Sequence, residues 1–561
     1  MYSNKESVNI LTALLVSHGV TKAVVCPGSR NAPIVHNLCE CPFIDCYPVT
    51  DERSAGFFAL GLALQMGKPS PVAVCVTSGT ALLNLLPAVA EASYQHVPLI
   101  VVSADRPQQW IEQLDGQTLP QPDALGRFVR KAVSLPLVSC SGEESDETRW
   151  LCNRLVNEAL LDMLFPIPAP VHINVPIDEP LFDFDTPKLP DERTISRFFS
   201  VEADAATSQP LLQAFSRSVR PIIVIGQTAD EYDNPFVGRQ VMEQLGRNAV
   251  VLTERLCRYS TRTVCFDEVL HAVGNNKDYQ PDLVIYVGGS LVSKRLKKFL
   301  RAGHAGVYVV NADGAVYDTF MHLKGVVVAQ PSKMLAQLSE IPAHCNKKFY
   351  QMWQQALAMA RQEAAFFQPS FSQMAAVRLF EQSVSRLPLL PLVHYANSTA
   401  VRLANIYAQH PIFCNRGVNG IEGSLSTAAG MAAATSSKVC CVIGDLSFFY
   451  DQNALWNKNL GGNLRILLLN NGQGGIFRQL RGLEKSDARE RFVAGAHNTS
   501  AEGICRQCDV GYRHVATEDE LVSAIDWLLA SGGERPRLVE VTTDAETDAQ
   551  MFREYYMQLS L

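Results

Sequence analysis

The chain has 561 residues, too many for one hydrophobic core, and its length suggests about three or four domains. A hydrophobic fraction of 47%, a charged fraction of 19% and a formal net charge of −7 describe a soluble globular protein and exclude both a disordered chain and the basic footprint of a nucleic-acid binder. No apolar run is long enough to span a bilayer, the N-terminus lacks the pattern of a signal peptide, and fifteen cysteines are scattered through strand-like stretches, so no membrane contact, a cytoplasmic location and reduced thiols are expected.

In the first third, helical and strand patterns alternate. A helix to Val20 is followed by strand KAVVCPGS, helix NAPIVHNLCE, strand DCYPV, helix SAGFFALGLALQMG, strand PVAVCVTSG, helix ALLNLLPAVAEASYQ, strand VPLIVVSAD and a closing strand PVHINVPID. This alternation implies βαβ units and a parallel sheet, and gives a first domain over 1–185. The Pro-rich, charged stretch TPKLPDERTISRFFS reads as a linker. Strands RPIIVIGQ, NAVVLTE, PDLVIYVGGS, GVYVVNAD and GVVVAQ then make a second parallel domain over 200–340, with neither GxGxxG nor GxxxxGK[ST]. A helical bridge, KKFYQMWQQALAMARQEAAFF, leads to a third domain over 370–561, with strands LLPLVHYAN, PIFCNRG, KVCCVIGD, LRILLLNN and RLVEVTT. The expected fold class is α/β, with three doubly wound parallel-sheet domains.

Two strands of the third domain end in oxygen-bearing side chains beside glycines: KVCCVI delivers Gly444-Asp445 to a turn, and LRILLL delivers Asn470-Asn471 to the turn GQGG. Neighbouring parallel strands would bring these groups together at their C-terminal ends, the ligand-binding edge of an open α/β sheet. One carboxylate with amide and backbone oxygens suits Mg²⁺, and the glycines let backbone approach a diphosphate. Glu52 begins a long helix after a strand, with Thr50 or Asp51 able to cap it. Cys505 and Cys508 form a CxxC without a second pair at zinc-finger spacing, and neither GxSxG nor HExxH occurs.

Gly444-Asp445 followed by Asn470-Asn471 resembles the diphosphate-and-metal motif of thiamine diphosphate enzymes, and TDERSAGFFALGLA with TSGTALLNLLPAVAEASYQHVPLIVVSADRP resembles their first domain. CPGSRNAPIV, SADRP, SKRL, NSTAVR, NRGVNGIEGSLSTAAG and GDLSFFYD sharpen the match to the family in menaquinone biosynthesis that decarboxylates 2-oxoglutarate and joins it to isochorismate. The resemblance covers nearly the whole chain. It implies the thiamine diphosphate decarboxylase fold, with a first, pyrimidine-binding domain, a central domain, and a last domain binding diphosphate and Mg²⁺ or Mn²⁺.

The same resemblance implies roles for individual residues. Glu52 would bond N1′ of the cofactor's aminopyrimidine; Ile421, Asp445, Leu446, Ser447, Asn471 and Phe477 would also contact the cofactor; and Asp445, Asn471 and Gln473, by its backbone carbonyl, would hold the metal. Ser398, Arg402 and Arg416 would serve 2-oxoglutarate, while Ser29, Arg30, Arg106, Gln117, Lys294 and Arg295 would serve isochorismate and Leu480 would make an apolar contact. Both substrates are dianions, which arginine suits by its two-pronged fit to carboxylate. Ser398 and Arg402, spaced i, i+4, can share one helical face. Departures are Leu446, where the superfamily has a third glycine, and Gly116 before Gln117, where some members carry asparagine. The family also implies an obligate homodimer with the site at the interface, or a tetramer of such dimers. Two other functions fit part of the pattern: another thiamine diphosphate carboligase acting on a 2-oxo acid, and a catalytically silent binding protein of the same fold.

Overall fold

The computed structural model of the protein describes residues 1–64, 69–138, 143–198, 204–228, 235–259, 265–342, 345–479 and 482–559. Three parallel sheets succeed one another along the chain. The first holds β1 (Lys22–Val25), β2 (Asp45–Pro48), β3 (Val72–Val76), β4 (Leu99–Asp105), β5 (Lys131–Ser134) and β6 (Val171–Pro176), in the order β2-β1-β3-β4-β6-β5. The second holds β7 (Pro221–Ile225), β8 (Val250–Thr253), β9 (Leu283–Val287), β10 (Gly306–Asn311) and β11 (Leu323–Val328), ordered β11-β10-β9-β7-β8. The third holds β12 (Leu392–Tyr395), β13 (Val439–Gly444), β14 (Leu464–Asn470), β15 (Gly511–Val515) and β16 (Arg537–Thr542), ordered β12-β13-β14-β16-β15. Helices cover both faces, so central strands such as VAVCV and LVIYV are apolar and buried throughout.

Local chemistry explains where the elements differ from the sequence pattern. PIFCNRG, expected as a strand, makes only a single parallel bridge, Phe413 to His394. The edge strands β5 and β15 are additions to the expected set, because KAVS and GYRHV mix buried with exposed residues and lack a continuous apolar run. The single helix expected over ALLNLLPAVAEASYQ is two, Thr80–Asn84 and Leu86–Gln95. Pro87 opens the second, where its missing N–H costs nothing, whereas inside a continuous helix it would remove a hydrogen bond and clash with the preceding turn.

Core packing joins the sheets. One face of the first sheet and one face of the second have private cores, around Ile100 and Ile173 in the first and around Ile223 and Ile285 in the second. The third sheet shares both its faces. Val442, Leu467, Leu469, Val539 and Val541 join a cluster with the second sheet, and their alternates Ile443, Ile466, Leu468 and Leu538 join one with the first. A close contact lies between helix Glu52–Ala63 and helix Ser424–Ala433. A Cβ on Gly61 would lie 2.0 Å from the Thr427 carbonyl oxygen, and one on Gly430 2.0 Å from that of Phe58, so the two backbones touch where no side chain fits.

Gly61→Ala is therefore expected to destabilise the protein by about 1–3 kcal/mol, since backbone rather than a flexible side chain must yield. Gly246→Ala, in helix Pro235–Asn248 with no atom within 4 Å of the new Cβ, is expected to be neutral or stabilising by up to about 1 kcal/mol. Denaturant melts of the two variants check the contrast, and an equal effect would remove the close approach as its cause.

Candidate functional site

The C-terminal ends of β13 and β14 lie side by side, with Gly444 paired to Leu469. Asp445 follows the first and Asn471 the second, so parallel pairing alone brings them together. The buried Asp445 carboxylate is fixed by backbone: Oδ1 accepts from Leu446 N at 2.7 Å, and Oδ2 from Asn471 N and Gln473 N, each at 3.1 Å. The adjacent asparagines divide the work. Asn470 shapes the turn, its Nδ2 donating to Thr499 O and Glu540 Oε1 and its Oδ1 accepting from Gly472 N. Asn471 Nδ2 donates to Asp548 Oδ2 at 2.8 Å, which leaves a buried Oδ1 with no hydrogen-bond partner. A fixed carboxylate beside an unsatisfied amide oxygen fits a divalent cation of the Mg²⁺ type. Leu446 and Ser447 lie in the short helix Asp445–Tyr450 and Phe477 in the turn Gly475–Gln479, while Leu480 lies outside the described residues.

Glu52 stands at the start of helix Glu52–Ala63, where Asp51 is the cap, its side chain accepting from Ser54 N at 2.8 Å. Glu52 is half-buried and accepts from Asn84 Nδ2 at 3.3 Å. The same helix end is tied to the third sheet by Asn453 Nδ2 donating to Asp51 Oδ2 at 2.8 Å and by Arg53, which donates to Tyr450 O and covers the Tyr450 ring at 4.6 Å.

The expected cations fall into two cavities rather than one within a single chain. A 770 Å³ cavity between the second and third sheets is lined by Lys294, Arg295 and Arg402, joined by Arg478 and Arg553. Arg295 is held by Asp267 and lies 4.1 Å over the Tyr556 ring, whose hydroxyl donates to the same carboxylate. Arg416 lies outside the lining of this cavity; it donates to Leu291 O, next to the lining residue Val292, at 3.3 Å and to Asn397 Oδ1 at 3.0 Å. Ser398, one residue on, has φ of 72°, a left-handed conformation rare for a serine, at the start of the helix that carries Arg402. Arg30 and Arg106 line a separate 540 Å³ cavity at the C-terminal edge of the first sheet. There Arg30 meets Glu179 at 3.2 Å and Arg106 meets Asp115 at 3.2 Å. Ser29 and Gln117 are exposed, and Gln117, with φ of 56°, packs its backbone against Gly79. Ile421 is 41% exposed.

Two buried carboxylates that sequence reasoning missed set the loops bearing these cations. Glu91 accepts from Gly417 N and Val418 N, both at 2.7 Å, which fixes the turn after Arg416. Glu254 accepts from Val292 N and Ser293 N, also at 2.7 Å, which fixes the turn before Lys294 and Arg295. Burial pushes the Glu254 carboxyl up to about 7, against the pull of those two N–H groups and Arg416. Their only trace in the sequence is an acid in an otherwise apolar helix, PAVAEASYQ, and an acid at a strand end, NAVVLTE. His497 was also missed; its Nε2 lies 3.6 Å from Asp445 Oδ2, and that contact raises the imidazole's pKa. Every cysteine among the described residues is a free thiol, Cys505 being buried in the core shared by the first and third sheets.

Residues 6–125 match the family described as thiamine pyrophosphate enzyme, N-terminal TPP binding domain, and residues 396–541 match its C-terminal TPP binding domain counterpart. Among curated proteins, the 2-succinyl-5-enolpyruvyl-6-hydroxy-3-cyclohexene-1-carboxylate synthase of Bacteroides thetaiotaomicron is 43% identical over the full length of both chains. The synthases of the same name from Phocaeicola vulgatus and Porphyromonas gingivalis are 42% and 33% identical, over 99% of both chains and over 100% and 98% respectively. A solved structure of a candidate thiamin diphosphate-dependent enzyme from Mycobacterium smegmatis superposes with a TM-score of 0.69 at 17% identity, covering 96% of this chain and 99% of that one, a likeness of fold.

The Glu254 carboxyl titrates higher in the folded protein than its ordinary 4.5, so its contribution to stability is full below about 4.5 and is lost as pH rises through about 7. The stability advantage of the wild type over Glu254→Gln is expected to shrink by roughly 3 kcal/mol between pH 4.5 and 8. Denaturant melts across that range measure it. A constant gap, or one that widens with pH, contradicts the burial argument.

Proposed function

The chain belongs to the family of 2-succinyl-5-enolpyruvyl-6-hydroxy-3-cyclohexene-1-carboxylate synthases, thiamine diphosphate enzymes of menaquinone biosynthesis, and on that premise we propose that it decarboxylates 2-oxoglutarate and adds the remaining four-carbon unit to isochorismate. It is a carbon–carbon bond-forming transferase whose further product is CO₂. The observation that most supports this substrate pair is the cavity lined by Lys294, Arg295 and Arg402, with Arg416 bonded to Leu291 next to its lining, because two dianions need several fixed cations.

Thiamine diphosphate, when bound, supplies the nucleophilic carbon and the electron sink that decarboxylation of a 2-oxo acid requires. The chain supplies position and field. Asp445, the unpartnered Asn471 Oδ1 and the Gln473 carbonyl would hold Mg²⁺ or Mn²⁺ on the diphosphate, with Leu446 and Ser447 beside it. Glu52 would hold the proton at N1′ of the aminopyrimidine, while Ile421 and Phe477 would give apolar support to the rings. Arg402 with Ser398 and Arg416 would bind the carboxylates of 2-oxoglutarate, and Ser29, Arg30, Arg106, Gln117, Lys294 and Arg295 those of isochorismate, with Leu480 as an apolar substrate contact. In this division, 1–185 is the pyrimidine-binding unit, 200–340 the central unit and 370–561 the unit for diphosphate and metal.

Two observations favour an obligate homodimer. Arg30 and Arg106 line a different cavity from Lys294 and Arg402 in one chain, and Val418 and Ile421 are exposed in the loop that follows Arg416, as suits a site completed by another copy. No helix among the described residues is long and apolar enough to cross a membrane. A cytoplasmic location is part of the proposal.

Purified protein with thiamine diphosphate, Mg²⁺, 2-oxoglutarate and isochorismate is expected to consume isochorismate, followed by its ultraviolet absorbance, and to release CO₂ only when all components are present. CO₂ release without loss of isochorismate would assign another acceptor. Arg402→Ala is expected to raise the KM for 2-oxoglutarate by about 10–100-fold, as loss of a charge-assisted contact does, with a much smaller change for isochorismate. Equal effects on both substrates would undo the division of the cations.

A further inference from the structure

Asp548 takes no part in the family motif, yet its contacts converge on the metal-binding turn. It is buried in the first turn of helix Ala545–Met557. Oδ1 accepts from Gln373 N at 2.8 Å, and Oδ2 accepts from Thr543 Oγ1 and Asn471 Nδ2, each at 2.8 Å. Backbone, hydroxyl and amide donors occupy both oxygens of this carboxyl as acceptors, so the neighbouring amide is held with its NH₂ toward Asp548 and its oxygen turned away. That oxygen is the buried Asn471 Oδ1 without a partner.

We infer that Asp548 is a positioning residue for the metal site, fixing the Asn471 amide so that oxygen, not nitrogen, is offered to the cation. This role rests on Asn471 being a metal ligand, as proposed above. It is the arrangement by which an outer carboxylate orients an inner ligand. Asp548 is also well anchored for it. Thr543 follows β16 directly and donates from its backbone to Asn470 O at 3.0 Å, so the carboxylate is tied to the neighbouring ends of β16 and β14. Phe552 and Tyr556, four and eight residues further along the same helix, line the cationic cavity, so one rigid element serves both the metal and the substrate side.

Asp548→Asn separates positioning from bulk packing. Its oxygen is claimed by the Gln373 N–H, so the new NH₂ faces Asn471 and favours the inverted amide, with nitrogen toward the metal. Binding of Mn²⁺ to the protein saturated with thiamine diphosphate is read directly from the electron paramagnetic resonance signal of free Mn²⁺. Asp548→Asn is expected to raise the Mn²⁺ Kd by about 10–100-fold while kcat at saturating metal stays near that of the wild type. The exchanged pair Asn471→Asp with Asp548→Asn restores a donor facing an acceptor, and is expected to bind Mn²⁺ more tightly than either single variant.

The outcomes are distinguishable. If Asn471→Ala binds Mn²⁺ as the wild type does, Asn471 is not a ligand and the role of Asp548 falls with it. If Asn471→Ala loses affinity but Asp548→Asn does not, the ligand stands and the positioning role is overturned. Should circular dichroism show Asp548→Asn unfolded, the exchanged pair carries the test: affinity within a few fold of the wild type supports the role, and affinity no better than that of Asn471→Asp overturns it.

Discussion

The contact on which the site depends is the meeting of two helix backbones at Gly61 and Gly430. Because no side chain separates them, the helix that begins with Glu52 cannot slide or tilt against the helix Ser424–Ala433 without collision. A position in the first sheet is thereby transmitted to the third. Asp51 with Asn453 and Arg53 with Tyr450 fasten the same helix at the end that carries Glu52, so the carboxylate stands on a support fixed along its length.

Buried carboxylates recur in this structure as anchors for loops that carry positive charge. Glu91 holds the turn after Arg416 and Glu254 the turn before Lys294 and Arg295, each through two backbone N–H groups. The arrangement solves a problem of like charges. Several guanidinium and ammonium groups facing one cavity repel one another, and an acid placed beneath each turn holds the backbone in place against that repulsion. Asp445 is held in the same manner, but with its neighbour Asn471 keeping an unsatisfied oxygen. The anchors are satisfied by the protein alone, whereas the metal-binding turn is not.

What the sequence made legible follows from the range of each interaction. Apolar runs revealed the central strands, and parallel pairing then explains why Asp445 and Asn471 meet, since both are the first residues beyond neighbouring strands. Edge strands such as GYRHV were invisible, because a strand covered on one side only has no continuous apolar run. PIFCNRG had such a run but spends its backbone elsewhere: Ile412 N donates to Arg255 O and the Cys414 carbonyl accepts from Gln227. Glu91, Glu254 and Asp548 bond mainly or partly to backbone N–H groups, which every residue except proline possesses, so nothing in the partner's identity marks the pair. The separation of the cations into two cavities was equally hidden, because charge and local spacing say nothing about which sheet edges face one another.

Counted by cores instead of sheets, the molecule has a different anatomy. The third sheet keeps neither face to itself, its alternating residues entering clusters shared with the second sheet on one side and the first on the other. It is last in the chain, so during synthesis the first and second sheets emerge each with one finished face and one apolar face awaiting a partner that the ribosome has not yet made. That interval exposes adhesive surface, the condition under which a nascent multidomain chain depends on chaperones. The unit that carries Asp445 and Asn471 thus completes the solubility of the other two as well as the chemistry.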